Sequence, residues 1–306
     1  MRRKLIGFFG IYFILSFIFL PNKAFCLLFF KLVQGQSVYG KIKTVTVGAN
    51  DTLLDIARRY DLGYNQITLA NPKVDPWLPK PGTKVIIPTK FILPKDHLAS
   101  GIVVNLAEMR LYYFFKRHGH FMFATGPVGI AKEGFLTKLG LYTVRCKNKN
   151  PTWYVPPSVR KDEPNLPKEV PPGPDNPLGN YILRLSRLFY GIHGTNKPWG
   201  VGRRVSHGCI RMYPEDIKAL FPLVPVGTLV QIVYQPIKVG WAQNKCWIQV
   251  FPDFTHKIKQ PFFYALKLIS DQQDIHGQLD INLTALKKAI KNQNGIPVIV
   301  AKPQSY

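Results

Sequence analysis

The chain has 306 residues, of which 46% are hydrophobic, so it is long enough for two domains and apolar enough to bury a substantial core. These values argue against disorder as the main state. A formal net charge of +24 favours an anionic partner, and charge alone does not separate nucleic acid from a cell wall or a membrane surface. The basic residues are scattered, which is also typical of a generally basic soluble surface.

The amino terminus has the pattern of a secretory signal. Basic residues at 2–4 precede an apolar stretch, 5–20, that is shorter than the about 20 residues of a bilayer span. Ala24 and Cys26 suit a cut after Cys26, so we predict a signal peptide at 1–26 and export to the periplasm or cell envelope. Because residues 27–30 are apolar again, an uncleaved N-terminal anchor is the alternative. Export argues against nucleic acid as a partner.

The cysteines number four, at positions 26, 146, 209 and 246. Removal of a signal peptide leaves three, and an odd number in an exported protein implies a thiol outside any disulfide or an intermolecular bond. A disulfide between Cys146 and Cys246, with Cys209 left as a thiol, is the hypothesis that follows.

A polar stretch, 34–43, is interpreted as a linker to a small unit. Its predicted elements are a strand at 45–47, a helix after the N-cap run 50–52, a helix after the cap Asn65, and a strand at 84–88. The second helix is expected to end before Pro72, because a residue preceding proline is pushed out of the helical region.

This unit resembles a LysM domain, and we predict one at 44–89. The resemblance depends on Gly48, Asp51, Thr52, Leu53, Ile56, Ala57, Asn71, Pro81, Gly82 and Val85–Pro88. LysM domains are small α+β modules of βααβ order, and the resemblance implies binding to N-acetylglucosamine-containing glycans such as peptidoglycan. Most of these residues also serve simply to build the small fold.

After a second predicted linker, 90–100, the sequence changes to strands. We expect strands at 101–105, 111–115, 121–125, 141–144, 181–187, 188–193 and 229–234, and a helix beginning at Pro214. No long amphipathic helix is predicted between 101 and 190, so the core is expected to be mostly β. A short mixed C-terminal extension, 237–306, is predicted to hold a strand at 246–251, a helix at 283–292 and a strand at 298–301.

The segment 148–179 contains nine prolines, which argues against any regular element there. Long ordered loops often cover a functional site, and a lid and an ordinary surface loop are the two interpretations. Trp153 and Tyr154 are candidate substrate contacts, and packing of both against the core is the alternative.

The segments 192–195 and 203–212 place two histidines and a cysteine within about twenty residues. A cysteine nucleophile must become a thiolate, and a histidine can take and return its proton. A buried structural cysteine and a zinc site are the alternatives. The spacing in the sequence favours a cysteine nucleophile over a zinc site. No fourth candidate ligand is nearby, and the separation of two residues between His207 and Cys209 is unusual for a pair of zinc ligands.

The same segments resemble the catalytic domain of L,D-transpeptidases, the YkuD domain, which we predict at 99–236. The resemblance depends on Gly126–Gly129, Pro177–Gly179, Ile192–Asn196, Gly200–Gly202, Ser206–Met212, Pro214–Ile217 and Gly227–Thr228. The implied fold is a mostly-β sandwich. The resemblance implies no metal and no cofactor.

The resemblance also implies roles for individual residues. Cys209 is similar to the nucleophile, and His193 is similar to the proton donor and acceptor. The backbone at His207, Gly208 and Cys209 resembles an oxyanion hole. Ser206 and Gly194 resemble supporting residues, and Arg211 resembles a substrate contact.

The implied reaction is transfer of a peptidoglycan tetrapeptide stem through a Cys209 thioester to an amine, which gives a 3→3 crosslink or anchors a lipoprotein. Peptidoglycan stem peptides and glycan strands are the expected partners, and a wall-anchored lipoprotein is a further one. Two alternatives stay open: a peptidoglycan hydrolase or carboxypeptidase of the same fold, and a non-catalytic wall-binding protein.

Overall fold

The computed structural model describes residues 27–135, 137–187 and 190–304. The predicted signal peptide, 1–26, lies outside these ranges. Within them, none of the helices combines the length and the apolar character needed to cross a bilayer. The described chain forms an N-terminal unit, a central sheet unit and a C-terminal unit, which pack against one another.

The first strand, β1 (Leu28–Lys31), belongs to the central sheet. The N-terminal unit then consists of β2 (Val38–Thr46), α1 (Leu53–Arg59), α2 (Tyr64–Ala70) and β3 (Lys84–Ile92). Thr52 caps α1, because its Oγ1 accepts from the Asp55 N–H at 3.1 Å and the Asp55 carboxylate accepts from the Thr52 N–H at 3.0 Å. The predicted cap at Asn65 is wrong, since Gly63 is the N-cap of α2.

Both predicted linkers are shorter than expected. β2 begins inside the first linker and β3 extends into the second, and the two strands pair from Val38 with Ile92 to Thr46 with Lys84. The error has a simple cause. Lys41 and Lys43 are exposed, so a solvated strand of a two-stranded ribbon has the composition of a linker.

The central unit contains most of the strands. Its elements are β4 (Gly101–Asn105), β5 (Arg110–Arg117), β6 (His120–Pro127), β7 (Ile130–Ala131), β8 (Gly140–Lys149), β9 (Trp153–Tyr154), α3 (Pro157–Asp162), β10 (Glu169–Val170), β11 (Tyr181–Leu185), β12 (Gly191–His193), a 3₁₀ turn (Pro198–Gly200), β13 (Arg204–Ser206), β14 (Ile210–Arg211), α4 (Pro214–Leu223) and β15 (Leu229–Val233). Nine strands form one sheet in the order β1-β6-β5-β4-β15-β8-β11-β12-β14. The pairs β4–β15 and β12–β14 are parallel. The prediction of a mostly-β core is confirmed.

The two faces of this sheet are buried against different partners. Ile102 and Val104 face the main core, which also includes Leu220 of α4. Their neighbour Val103 and the β5 residue Tyr112 point the other way, into a core shared with the N-terminal unit. Successive strand residues face opposite sides, so this alternation attaches the N-terminal unit directly to the sheet.

The expectation of no regular element in the proline-rich segment is wrong in part. β9 pairs with β10, and α3 begins at Pro157, a position where the missing proline N–H is harmless. The Asn176 amide holds the segment together, because it donates to the carbonyls of Pro151 at 2.8 Å and Val170 at 3.1 Å.

The C-terminal unit is a four-stranded sheet, β16-β17-β19-β18, packed with helices. Its elements are β16 (Ile237–Ala242), β17 (Lys245–Val250), α5 (Pro261–Ser270), α6 (Gln273–His276), β18 (Leu279–Ile281), α7 (Leu283–Asn292) and β19 (Val298–Pro303). The predicted helix at 283–292 is confirmed, whereas β16 and α5 were not predicted. Cys146 on β8 and Cys246 on β17 are both thiols, so the hypothesis of a disulfide between them is wrong.

Candidate active site

Strands β12 and β14 bring three of the predicted residues together. His193 pairs in register with Arg211, and Cys209 directly precedes β14. A backbone hydrogen bond joins Gly191 to the Cys209 thiol. His193 and Arg211 are partners in register, so their side chains lie on the same face of the sheet, and Cys209 lines the same cavity as both.

The His193 ring is buried and oriented by its neighbours. Its Nδ1 lies 2.6 Å from the carbonyl O of Gly194, and the Leu178 backbone is also hydrogen-bonded to the ring. A proton on Nδ1 leaves Nε2 as the acceptor of the neutral ring. Burial, and then the positive charge of Arg211, lower the pKa of His193 to about 3. The imidazole is therefore neutral at physiological pH.

The Cys209 thiol lies at the wall of a narrow cavity, partly exposed to it and otherwise surrounded by protein. Burial raises the pKa of Cys209, against the opposing effects of the Gly191 backbone hydrogen bond and of Arg211 and Arg184. The two arginines favour the thiolate, but the effect of burial is larger and the net shift favours the neutral thiol. The resting pair is thus a neutral thiol and a neutral imidazole.

A tight turn holds Cys209 in place. The Ser206 Oγ donates to the Cys209 carbonyl at 2.6 Å and accepts from the Gly208 N–H at 3.1 Å. The Thr137 hydroxyl donates to the Gly208 carbonyl at 3.0 Å. Gly208 has a φ of +130°, a conformation that side chains other than glycine rarely adopt. Ser206 and Gly208 therefore shape the turn that presents the thiol.

The side chain of His207 contacts the proline-rich segment. Its Nε2 lies 3.2 Å from Asp162 Oδ2, and its ring meets the Phe135 ring edge-on with centroids 4.6 Å apart. Lys132 Nζ also contacts Asp162 Oδ2, at 3.1 Å. His207 and Lys132 thus attach α3 to the wall of the site.

The proline-rich segment covers the site, as the lid interpretation expected. Cys209, His193 and Arg211 line a cavity of about 270 Å³, and Trp153 and Leu178 help to close it. Cavities of about 460 and 480 Å³ adjoin it on its two sides, and Trp153 lines both. A further cavity of about 680 Å³, in the C-terminal unit, is lined by none of the predicted site residues.

Tyr154, the second predicted aromatic contact, is largely exposed and lines the 480 Å³ cavity without reaching the smaller one. Sequence reasoning missed Thr137, Asp162 and Arg184, which come close to the site only through folding. None of the three lies in a motif, so no sequence signal could have identified them.

Arg211 places a charged side chain at the wall of the cavity of about 270 Å³. Its Nε is buried and has no hydrogen-bond acceptor among the described residues. Burial lowers the pKa of Arg211, although the guanidinium stays positive. His193 Nδ1 contacts the Gly194 carbonyl, and His207 Nε2 contacts the Asp162 carboxylate. Within the described ranges, no three His, Cys, Asp or Glu side chains converge as metal ligands. The described residues therefore do not bring together the ligands that a zinc site would need.

Comparisons with known proteins identify the family of each domain. Residues 99–232 match the YkuD family, the L,D-transpeptidase catalytic domain, and residues 45–88 match the LysM domain. The chain is 40% identical over 277 residues to probable L,D-transpeptidase YbiS of Escherichia coli (strain K12), covering 87% of this chain and 89% of that protein. It is 37% identical over 285 residues to probable L,D-transpeptidase ErfK/SrfK of the same organism, covering 88% and 89%.

Among solved structures, the catalytic domain of the Enterococcus faecium L,D-transpeptidase, determined by NMR, is 25% identical. That alignment covers 44% of this chain and 98% of that chain, with a TM-score of 0.33. The family assignment depends on the relatives that match along most of both chains. The chain therefore belongs to the L,D-transpeptidase family and combines a LysM domain with a YkuD catalytic domain.

Proposed function

We propose that the protein is an exported peptidoglycan L,D-transpeptidase with Cys209 as its nucleophile and His193 as its proton carrier. The observation that supports this most is that Cys209, His193 and Arg211 line one cavity, with His193 and Arg211 paired in register on neighbouring strands. A thiol, a neutral base and a fixed positive charge are the groups that acyl transfer from a peptide requires.

In the first half of the reaction, His193 takes the Cys209 proton as the sulfur attacks the carbonyl carbon of the third stem residue. The bond to the terminal D-alanine breaks, and His193 returns the proton to the leaving amine. A thioester remains on Cys209. The pKa of His193 is low in the resting site, and the negative charge that forms beside the ring during attack raises it.

In the second half, an amine attacks the thioester carbonyl, and His193 accepts a proton from this amine. The carbon–sulfur bond breaks, the new amide forms, and the proton returns to Cys209. An amine of a neighbouring stem gives a 3→3 crosslink, and a lysine of a lipoprotein gives an anchored protein. Water in place of the amine gives a carboxypeptidase.

The other residues have positioning roles in this proposal. The Gly194 carbonyl sets the orientation of the His193 ring, and Ser206 holds the turn that presents Cys209. The backbone at His207, Gly208 and Cys209 is assigned to the developing oxyanion. In the resting structure the Gly208 N–H donates to Ser206. Arg211 is assigned to a carboxylate of the stem peptide, because a guanidinium pairs with such a group through two hydrogen bonds.

We assign the LysM domain to the glycan strand of the same peptidoglycan. Trp77 and Leu78, in the loop between α2 and β3, are large exposed apolar side chains that suit the face of a sugar ring. The N–H groups of Tyr64 and Asn65 donate to the carbonyls of Val201 and Gly202, each at 3.1 Å, so α2 is attached to the loop beside the active site. Binding of glycan here raises the local concentration of stem peptide.

The test is incubation of the purified protein with tetrapeptide muropeptides, followed by intact-mass analysis. We expect an adduct with the mass of the stem minus D-alanine, located on Cys209 by peptide mapping. Cys209→Ala is expected to abolish both the adduct and the products. Cys146→Ala is the matched control, because Cys146 lines the neighbouring 480 Å³ cavity and has no assigned role.

An adduct that persists in Cys209→Ala, or full activity of that variant, would contradict the mechanism. Analysis of the products by mass spectrometry identifies the acceptor. Crosslinked dimers indicate transpeptidation between stems, whereas released tripeptides alone indicate hydrolysis. A protein that binds peptidoglycan and forms neither adduct nor product would be a non-catalytic binder.

A further inference from the structure

Two buried aspartates meet where β1, the N-terminal unit and α4 come together. Asp61 follows α1 and Asp216 lies in the first turn of α4, and each is about 1% exposed. The Leu27 backbone nitrogen lies 3.3 Å from Asp216 Oδ1, and the Leu28 N–H donates to Asp61 Oδ2 at 3.1 Å. The start of the described chain is thus held by two carboxyl groups.

The second oxygen of each carboxyl group has fewer hydrogen-bond partners than the first. Asp61 Oδ1 and Asp216 Oδ2 are buried, and no N–H or hydroxyl group of the described residues donates to either oxygen. The two carboxyl side chains are instead hydrogen-bonded to each other, which requires one of them to carry a proton. Both face Gly126 on β6, where an added Cβ would lie 3.5 Å from the first and 3.3 Å from the second. Two carboxyl groups placed this close need a shared proton or a nearby cation.

The charges around the pair do not balance. Arg110 is the buried cation beside Asp61, and its Nη2 donates to the Asp61 carbonyl at 2.6 Å. Glu215 and Arg58 form an adjacent ion pair at 2.6 Å and offset each other. With both groups ionised, two carboxylates beside one guanidinium leave one excess negative charge, which a proton shared by the pair otherwise cancels. Accordingly, burial raises the pKa of Asp61 to about 6, and burial and the Asp61 charge raise that of Asp216 well above its usual value.

The backbone at Leu27 is also unusual. Its side chain is buried in the main core, and its φ is +45°, a conformation that L-residues with a Cβ rarely adopt. The φ angle of Leu27 is restricted because the carbonyl group of residue 26 is bonded to the Leu27 nitrogen. Hydrolysis of the Cys26–Leu27 peptide bond removes that restriction, and it produces a carboxylate on Cys26 and an ammonium group on Leu27.

We propose that Asp61 and Asp216 form a binding site for the chain's own α-ammonium group, which is created when a peptidase of the export system cuts after Cys26. The ammonium supplies the missing positive charge and three N–H donors next to Asp216 Oδ1. This inference depends on the predicted cut after Cys26 and is independent of the proposed transpeptidase activity.

In this proposal, cleavage after Cys26 changes the stability of the folded protein. Its carboxylates come from the N-terminal unit and from α4, and the ligand is continuous with β1, which pairs with β6 of the central sheet. The Tyr213 hydroxyl, next to the start of α4, donates to the Leu62 carbonyl at 3.0 Å in the same junction. A buried ion pair here joins three parts of the chain, so the processed protein is more stable than a precursor that retains residue 26.

The first experiment is amino-terminal sequencing of the exported protein, for which we expect Leu27. The second compares four purified proteins that begin at Leu27 or at an added glycine before it, each with Asp216 or with Asp216→Asn. With Asp216 present, the added glycine is expected to lower Tm by on the order of 5 °C, because the ammonium no longer reaches the site. With Asp216→Asn, the added glycine is expected to change Tm little.

A third measurement keeps the proposal testable if the Asp216→Asn protein does not fold. Reductive methylation of the protein that begins at Leu27 with ¹³C-formaldehyde, followed by NMR titration, gives the pKa of its α-amino group. We expect a pKa above the usual range of about 7.7–8.0, because the carboxylates favour the ammonium form.

Three results would each overturn the proposal: an exported protein that begins at another residue, the same Tm loss with Asp216 and with Asp216→Asn, or an α-amino pKa in its usual range. None of these readouts involves peptidoglycan, so failure of the proposed transpeptidase function leaves the test intact.

Discussion

Two clusters of buried polar side chains lie against the central sheet, and they differ in how completely they are satisfied. The first lies at the junction of the three units. Lys238 Nζ is 2.7 Å from Glu108 Oε2 and also donates to the Ile92 carbonyl. The other Glu108 oxygen accepts from Asn105 at 2.9 Å, and the Tyr112 hydroxyl donates to Oε2 at 3.0 Å.

The second cluster is the candidate active site, where burial is only partly compensated by hydrogen bonds. The Arg211 Nε has no acceptor among the described residues, and the pKa shifts of Cys209 and His193 both favour their neutral forms. A satisfied buried network orders the fold, whereas an incompletely satisfied one keeps donors and acceptors for a substrate. We therefore expect substitutions in the first cluster to lower stability and substitutions in the second cluster to lower activity.

The largest effect is expected from His193→Gln, which keeps a polar side chain but removes the base. The turnover number should fall by about 10²–10⁴-fold, because general acid–base catalysis contributes that much. Stability to urea should change little. His207→Gln is the matched control, since His207 contacts Asp162. Equal losses in both variants, measured by crosslink formation, would contradict the assignment of the proton carrier.

At the junction, Lys238→Met is expected to destabilise the protein by about 3–5 kcal/mol, because Glu108 is then buried without its counter-ion. Urea denaturation measures the loss. Lys302→Met is the control, since its pair with Asp280 is exposed and 3.8 Å long, and little change is expected. Turnover per folded molecule should stay the same. A large loss of turnover in Lys238→Met without a loss of stability would erase the distinction between the two clusters.

Arg211→Lys tests the unfilled donor of the active site. The variant keeps a positive charge but loses the planar guanidinium, so kcat/KM should fall by about tenfold or more. The rate at which iodoacetamide alkylates Cys209 should change far less than kcat/KM, because this reagent has no carboxylate that Arg211 could bind. If kcat/KM and alkylation fall together, Arg211 acts on the thiol and not on the substrate.

The last prediction concerns the pH dependence of Cys209 alkylation and changes no residue assigned to the site. It is best measured in Cys146→Ala, so that Cys146 does not also react with iodoacetamide. Burial raises the pKa of Cys209, so the thiolate is a minor species that grows as pH rises. The iodoacetamide rate should increase about tenfold per pH unit between about pH 6 and pH 8. A plateau at neutral pH would instead indicate a stable thiolate–imidazolium pair.

Local patterns predicted much of the fold. The strands at 101–105 and 121–125 and the helix at 283–292 were found because their apolar residues recur with the period of a strand or a helix. The strand predicted at 45–47 is the end of β2, whereas residues 38–44 of β2 were missed because only their pairing with β3 defines them. Proline positions alone did not predict α3, since proline is also favoured in the first turn of a helix.

The sequence by itself determined the family and the chemical groups of the site, because Cys209, His207 and Arg211 lie within a few residues of one another and His193 lies in a short motif. Only the tertiary structure decided that His193 pairs in register with Arg211 and that His207 contacts Asp162 of α3. It also decided that burial outweighs the arginines at Cys209, and that Asp61 meets Asp216 across 155 residues of chain. These outcomes depend on distance and solvent exposure in space, which neighbouring positions along a chain do not encode.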